Sequence, residues 1–247
     1  MTPRIRELYD NSGLPGPRGN LELLARFASS ATRAEAEECL SFMSEDLSNS
    51  PEEYLAMCGV VASCVLARRS IQKAVDLARP FASHSSWRIR ESVAIGIQEI
   101  SGGHMEETLA ALKPWVAGTD LERRAVVAAL CEPKLLGEES VAVQVLEVLE
   151  RISLTLADRG KLDEDAKVLR QALSYGWSVA AVAAPERGKA LIEAMADSAS
   201  VDLRWIAREN MKKRGSRGWT GPGSSAYRTN FSESTCPEWT KHKPLPK

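Results

Sequence analysis

Two places in the 247-residue sequence set residues of useful chemistry at helical spacing. The first is Trp87-Arg88-Ile89-Arg90-Glu91. Trp87 and Glu91 stand four apart, so a helix puts them on one face, almost opposite an apolar stripe of Ile89, Val93, Ile97 and Ile100. That face offers a flat ring for stacking and an anionic oxygen beside it. The plainer alternative is a Trp87 packed on a neighbouring helix and a solvated Glu91. The second place is Arg204, Arg208 and Lys212, which follow i, i+4, i+8 and form one cationic row flanked by Trp205. Leu203, Ile206 and Met211 mark the buried side of that helix. Arg beside Trp suits a phosphate backbone, an unpaired base or an acidic peptide. The plainer alternative is a terminal helix with a solvated face, its cations favoured by the helix dipole near the C-terminus. Arg88 and Arg124 join the same set of candidate binding residues.

Other chemistry finds little support. The histidines are His84, His104 and His242, and none has a second His or Cys at ligand spacing. Cys58 and Cys64 are six apart, about 240° around a helix, so they face different ways. Five cysteines at 39, 58, 64, 131 and 236, without a Cys-x-x-Cys, read as reduced thiols of a cytoplasmic protein. Gly13 to Gly19 is glycine-rich, but Pro15 and Pro17 remove backbone donors that a phosphate cradle would use. No Gly-x-Ser-x-Gly occurs. No catalytic residue, metal site or cofactor is therefore expected.

The elements that would carry these residues are helices. Alternating strand patterns are nearly absent, and helical periodicity recurs with a break every 12 to 20 residues or so. Leu14-Pro15-Gly16-Pro17 reads as a rigid loop before a first helix near 20–29. Thr32 with Glu35 is a capping box opening a helix to about Leu47. Ser50-Pro51-Glu52-Glu53 gives a cap, a proline at the first helical position and a Glu able to reach back, for a helix to about Arg68. Ser70 caps the next, ending near Ser83. Further helices are expected near 86–100, 104–117, 120–131, 138–158, 163–183, 185–198 and 201–213. Pro114 should kink or end its helix, and Tyr175-Gly176-Trp177-Ser178 should interrupt another, with Trp177 in the core.

Helix after helix with short connections implies a bundle or an α-solenoid. A weak repeat favours the second. Placing Val93 on Val126 sets Arg90 on Arg123, a shift of 33 residues. Asp202-Leu203-Arg204 opens a third such segment, again a polar turn followed by Arg in the first helical turns. This resembles the second helix of a HEAT repeat, in which an Asp in the turn and an Arg on the helix ladder between repeats. Arg123, on the apolar side of its helix, is expected in such a ladder with Asp120 or an acid of the next repeat. The segments at 14–23, 87–91, 122–133, 169–179 and 204–213 together resemble a group of bacterial HEAT-repeat proteins of uncharacterised function. The resemblance implies an all-α, right-handed α-solenoid over residues 1–214, with the second helix of each pair on the concave side, and no activity. The Trp87/Glu91 face also resembles, at fold level, the HEAT-like DNA alkylpurine glycosylases, whose carboxylate is typically Asp where this chain has Glu91. That similarity implies an adjoining Arg, here Arg123 or Arg124.

The net charge of −1 is uneven: residues 215–247 carry +3, and the remainder −4. A mildly acidic body argues against strong sequence-independent nucleic-acid binding. Residues 215–247, turn-rich and without periodicity, are expected to be a flexible, mildly basic tail. The opening Met1-Thr2-Pro3-Arg4 has no apolar run behind it, and no stretch is long enough to cross a membrane. The reading that results is a cytoplasmic, non-enzymatic binding module presenting a concave Trp/Arg surface to a protein or other extended partner. The alternative is a nucleic-acid-binding protein of the alkylation-repair type.

Overall fold

Short polar side chains at the expected places start the helices. In the computed structural model, which describes residues 1–157 and 159–213, side-chain oxygens of Asn20, Thr32, Ser50, Ser70, Ser86, Thr119, Asp163 and Ser200 each accept a first-turn N–H. Thr32–Glu35 and Thr119–Glu122 close full capping boxes. The resulting helices are α1 (Pro3–Asp10), α2 (Leu21–Ser30), α3 (Arg33–Leu40), α4 (Pro51–Leu66), α5 (Ile71–Ala78), α6 (Trp87–Ser101), α7 (Met105–Val116), α8 (Asp120–Leu130), α9 (Glu139–Leu154), α10 (Glu164–Ala183), α11 (Pro185–Ala196) and α12 (Val201–Met211). Short 3₁₀ turns at Arg79–Ser83 and Pro133–Leu135 complete the set. Among the described residues the fold is all-α, with no strand.

Four expectations differ from the structure. Helix α1 was not anticipated; Ile5 and Leu8, its only buried residues, are too few to stand out as a stripe. Helix α3 stops at Leu40, because the chain turns there and lays Phe42 and Met43 on the core. Glu53 does not close a box on Ser50; its carboxylate takes the N–H of Asn49 at 2.8 Å and is otherwise spent on α6. Tyr175 to Ser178 do not interrupt α10, which runs unbroken through Gly176. Glycine is needed there for close approach: a Cβ would lie 2.8 Å from Val127 Cγ1 and 2.9 Å from Cys131 Sγ of α8.

The helices pack in two rows. One row is α4 on α6, α6 on α8, α8 on α10 and α10 on α12; the other is α5 on α7, α7 on α9 and α9 on α11. Helices α1, α2 and α3 pack against α4 at one end. Contacts fix the sense of the first row. Arg88 at the start of α6 meets Glu53 at the start of α4, while Gly96 further along α6 rests on Cys64 and Val61. Gln98 late in α6 donates to the Ala128 carbonyl late in α8, and Arg170 early in α10 pairs with Asp202 at the start of α12. The helices of this row therefore run parallel, each starting on one edge and ending on the other.

Because a helix inside the row is flanked by two neighbours and backed by the second row, it is buried on most of its circumference. Helix α4 is the extreme case, with every residue from Glu53 to Ala62 buried. One apolar cluster, which includes Trp115 and Trp177, extends from α4 to α12. A second joins α1–α4 with Ile89 of α6. No described helix is long and apolar enough to cross a membrane.

Candidate functional site

The starting edge of the first row holds the residues singled out from the sequence, and the structure divides them. Ser86 caps α6 and so sets Trp87 and Arg88 in its first turn. Trp87 is 39% exposed, with the Arg88 guanidinium 4.6 Å from the centre of its ring. Arg88 itself is buried. Its Nη1 donates to Glu53 Oε2 at 3.2 Å, and its Nη2 donates to the Gly16 carbonyl at 3.0 Å and to Asn49 Oδ1 at 3.3 Å. Ser86 Oγ donates to the other oxygen of Glu53. Asn49 sits at φ 47°, the left-handed region that Asn tolerates, and also accepts the N–H of Gly16 at 2.9 Å. Arg88 thus ties four segments together from inside, and as a surface cation it is a correction to the sequence reading.

Arg124 is the second correction. It is 3% exposed; Nη2 donates to Glu91 Oε2 at 2.6 Å and Nη1 to the Arg90 carbonyl at 3.1 Å. Glu91 is therefore not a free carboxylate beside Trp87 but half of a partly buried ion pair between α6 and α8. Arg123 pairs with Asp120, one of the acids expected for it, but within α8 itself: it donates to Asp120 Oδ1 at 2.8 Å and to the Val116 carbonyl of α7 at 2.9 Å. Arg159 pairs with the other Asp120 oxygen. The Asp120 carboxyl feels burial, which would raise its pKa, but the Arg159 and Arg123 donors outweigh it and hold it below the usual carboxylate range.

The row on α12 stays at the surface. Arg208 and Lys212 are exposed and share Glu209, at 3.9 Å and 2.6 Å. The exposed Arg204 turns its Nη1 onto the Ser198 and Ala199 carbonyls, at 2.6 Å and 2.7 Å. Trp205 is half-buried under the Arg170 guanidinium, 4.5 Å from its ring, and Arg170 is held by Asp202 at 2.5 Å. Trp205 is thus stacked within the protein rather than presented.

The four described cysteines are buried and poor nucleophiles. Burial raises the Cys39 thiol to about 12, helped by Glu38 and Glu35, and raises Cys64 to about 12. Burial pushes Cys58 and Cys131 up as well. All four are free thiols in apolar surroundings. In native protein, iodoacetamide is expected to modify these four at least about 100-fold more slowly than in guanidinium, read by peptide mass spectrometry; equal rates would show that the core is open. His84 is buried, with Nδ1 accepting the Ser86 N–H at 3.0 Å, which leaves Nε2 as donor to the Ser44 carbonyl at 3.1 Å. No group of three or more His, Cys, Asp or Glu at metal-binding distance occurs among the described residues.

Nothing in the residue spacing points to the Glu53–Arg88–Asn49–Ser86 hub. The available signal was an acid at the head of the long apolar run from Tyr54 to Leu66, where a solvated carboxylate has little room. Comparison with family models, with curated proteins and with solved structures finds no match to the chain.

Proposed function

We propose that the chain is a HEAT-like, right-handed α-solenoid acting as a non-enzymatic binding module. The observation carrying this reading is the stacking order: every second helix packs on the next in a parallel row, with the intervening helices in a row behind. Ion pairs joining successive row members, Glu53–Arg88, Glu91–Arg124 and Arg170–Asp202, fit the repeat-to-repeat ladders of such arrays. The exposed cations Arg204, Arg208 and Lys212 form the contact surface of this reading, with Trp87 as a second, separate exposed aromatic. The partner is a protein offering an acidic extended segment to the α12 row. The nucleic-acid alternative loses its free carboxylate to Arg124.

Immobilised protein challenged with a glutamate-rich peptide and with duplex DNA, at about 50 and 200 mM salt, tests the reading. The peptide is expected to bind saturably, and about tenfold more weakly to the Arg204→Ala/Arg208→Ala/Lys212→Ala variant. DNA held at the higher salt and released by the same variant would favour the alternative. Equal peptide binding by variant and parent would overturn the assignment of the surface.

A further inference from the structure

We propose that Arg90, early in α6, anchors a binding site for a carboxylate that comes from outside the chain. The site stands independently of the α12 surface. Arg90 differs from the other arginines in its pairing. Among the described residues, every other arginine with no carboxylate within 4.0 Å is exposed, and every other one that is not exposed has such a partner. Arg90 is half-buried and has none.

Its hydrogen bonds leave one side of the guanidinium free. Nη1 donates to the His84 and Ser85 carbonyls, at 2.5 Å and 2.8 Å, which holds the side chain over the turn that precedes α6. Nε is buried and has no acceptor. Nη2 makes no hydrogen bond among the described residues and is not one of their buried unpartnered atoms, so it reaches the surface. The Nε–H and Nη2–H of a guanidinium are parallel and form the fork that takes both oxygens of a carboxylate. Nη2 is the point of entry, and Nε lies behind it.

The surrounding charge favours an incoming anion. Burial lowers the pKa of Arg90, the Arg124 guanidinium lowers it further, and Asp165 of α10 offsets part of this from beyond contact distance. Glu91, the next residue, is committed to Arg124 at 2.6 Å. A cation held partly out of water with no counter-ion in contact is costly, and one bound monoanion removes that cost. A planar monoanion with two oxygens fits both the charge and the fork. Trp87 stands three residues earlier on the same helix surface, and its ring, 39% exposed, offers an apolar face to the remainder of the ligand. The carboxylate belongs either to a free small acid or to an acidic side chain of a protein.

Nitrogen-15 NMR of the full chain, observing arginine Nε–H, tryptophan indole and backbone amide resonances, tests this and separates the two sources. The Arg204→Ala/Arg208→Ala/Lys212→Ala background keeps the α12 surface from contributing. The probes are sodium acetate and a glutamate-rich peptide, each against sodium chloride at equal ionic strength. The Arg90 Nε–H resonance is expected to move saturably with acetate and not with chloride. Arg90→Lys keeps the charge and can still reach the two carbonyls but has no fork; it should weaken the acetate response of the α6 first-turn amides at least about tenfold. Asp165→Asn removes the competing charge and should tighten acetate binding about two- to threefold. Peptide binding about tenfold tighter than acetate, with the Trp87 indole moving too, assigns the site to a protein partner; equal affinity assigns it to a free acid. Circular dichroism checks that each variant keeps its helices. The proposal is overturned if Arg90 answers chloride as it answers acetate, if folded Arg90→Lys binds acetate as well as the parent, or if Asp165→Asn weakens binding.

Discussion

Glu53→Ala is expected to lower stability by about 3–5 kcal/mol, read as a fall in the denaturant midpoint at unchanged slope. The carboxylate is 1% exposed and serves Asn49 N–H, Ser86 Oγ and Arg88 Nη1 at once. Without it, Arg88 keeps its charge in a buried place. Its Nε already lacks an acceptor, leaving only the Gly16 carbonyl and the Asn49 amide oxygen. Total stabilities of about 5–15 kcal/mol make such a loss close to unfolding. A Glu53→Leu/Arg88→Met double variant is expected to lose less than Glu53→Ala alone, because no charge is left unpaired. If Glu53→Ala costs under about 1 kcal/mol, the pair is not buried as described.

Trp177→Ala is expected to cost about 3–5 kcal/mol in the same measurement. Trp177 is fully buried, and its Nε1 donates to the buried Ser153 Oγ at 3.0 Å, joining α10 to α9. The change opens a cavity and leaves the Ser153 hydroxyl without that donor. Trp177→Phe separates the two effects: it keeps most of the volume and is expected to cost about 1–3 kcal/mol. A full-sized loss in the Phe variant would place the weight on the hydrogen bond; a negligible loss in the Ala variant would mean that α10 does not pack there.

Most of the fold was legible because most helices announce themselves locally, α1 excepted. Thr32, Ser50, Ser70 and the glycine and proline breaks are short-range signals that need no knowledge of neighbours. The candidate site was far less legible. Assigning a side chain to core or surface from one apolar stripe assumes that a helix has one buried face. In the parallel row a helix such as α8 is covered on two flanks and behind. Leu121 and Arg124 to Val127 are all buried there, and the more exposed of the two neighbouring arginines is Arg123, not Arg124. The choice between them rests on where Glu91 and Asp120 lie in space, which spacing along the chain does not encode. Trp205 follows the same logic, since its stacking partner Arg170 is on another helix. Arg204, Arg208 and Lys212 were readable because α12 has a row neighbour on one flank alone among the described residues.

The ionic cross-ties of the row join residues 35, 33 and 32 apart in sequence. At synthesis rates of about 5–20 residues per second, the counterpart of each charge has left the ribosome about 2–7 s earlier. Helix formation takes about a microsecond, so it is complete long before that. A nascent α6 therefore finds the whole of α4 already synthesised and ready to pack, and so on down the row. No segment has to hold an apolar flank uncovered until the last residues are made, as a sheet pairing its first and last strands must.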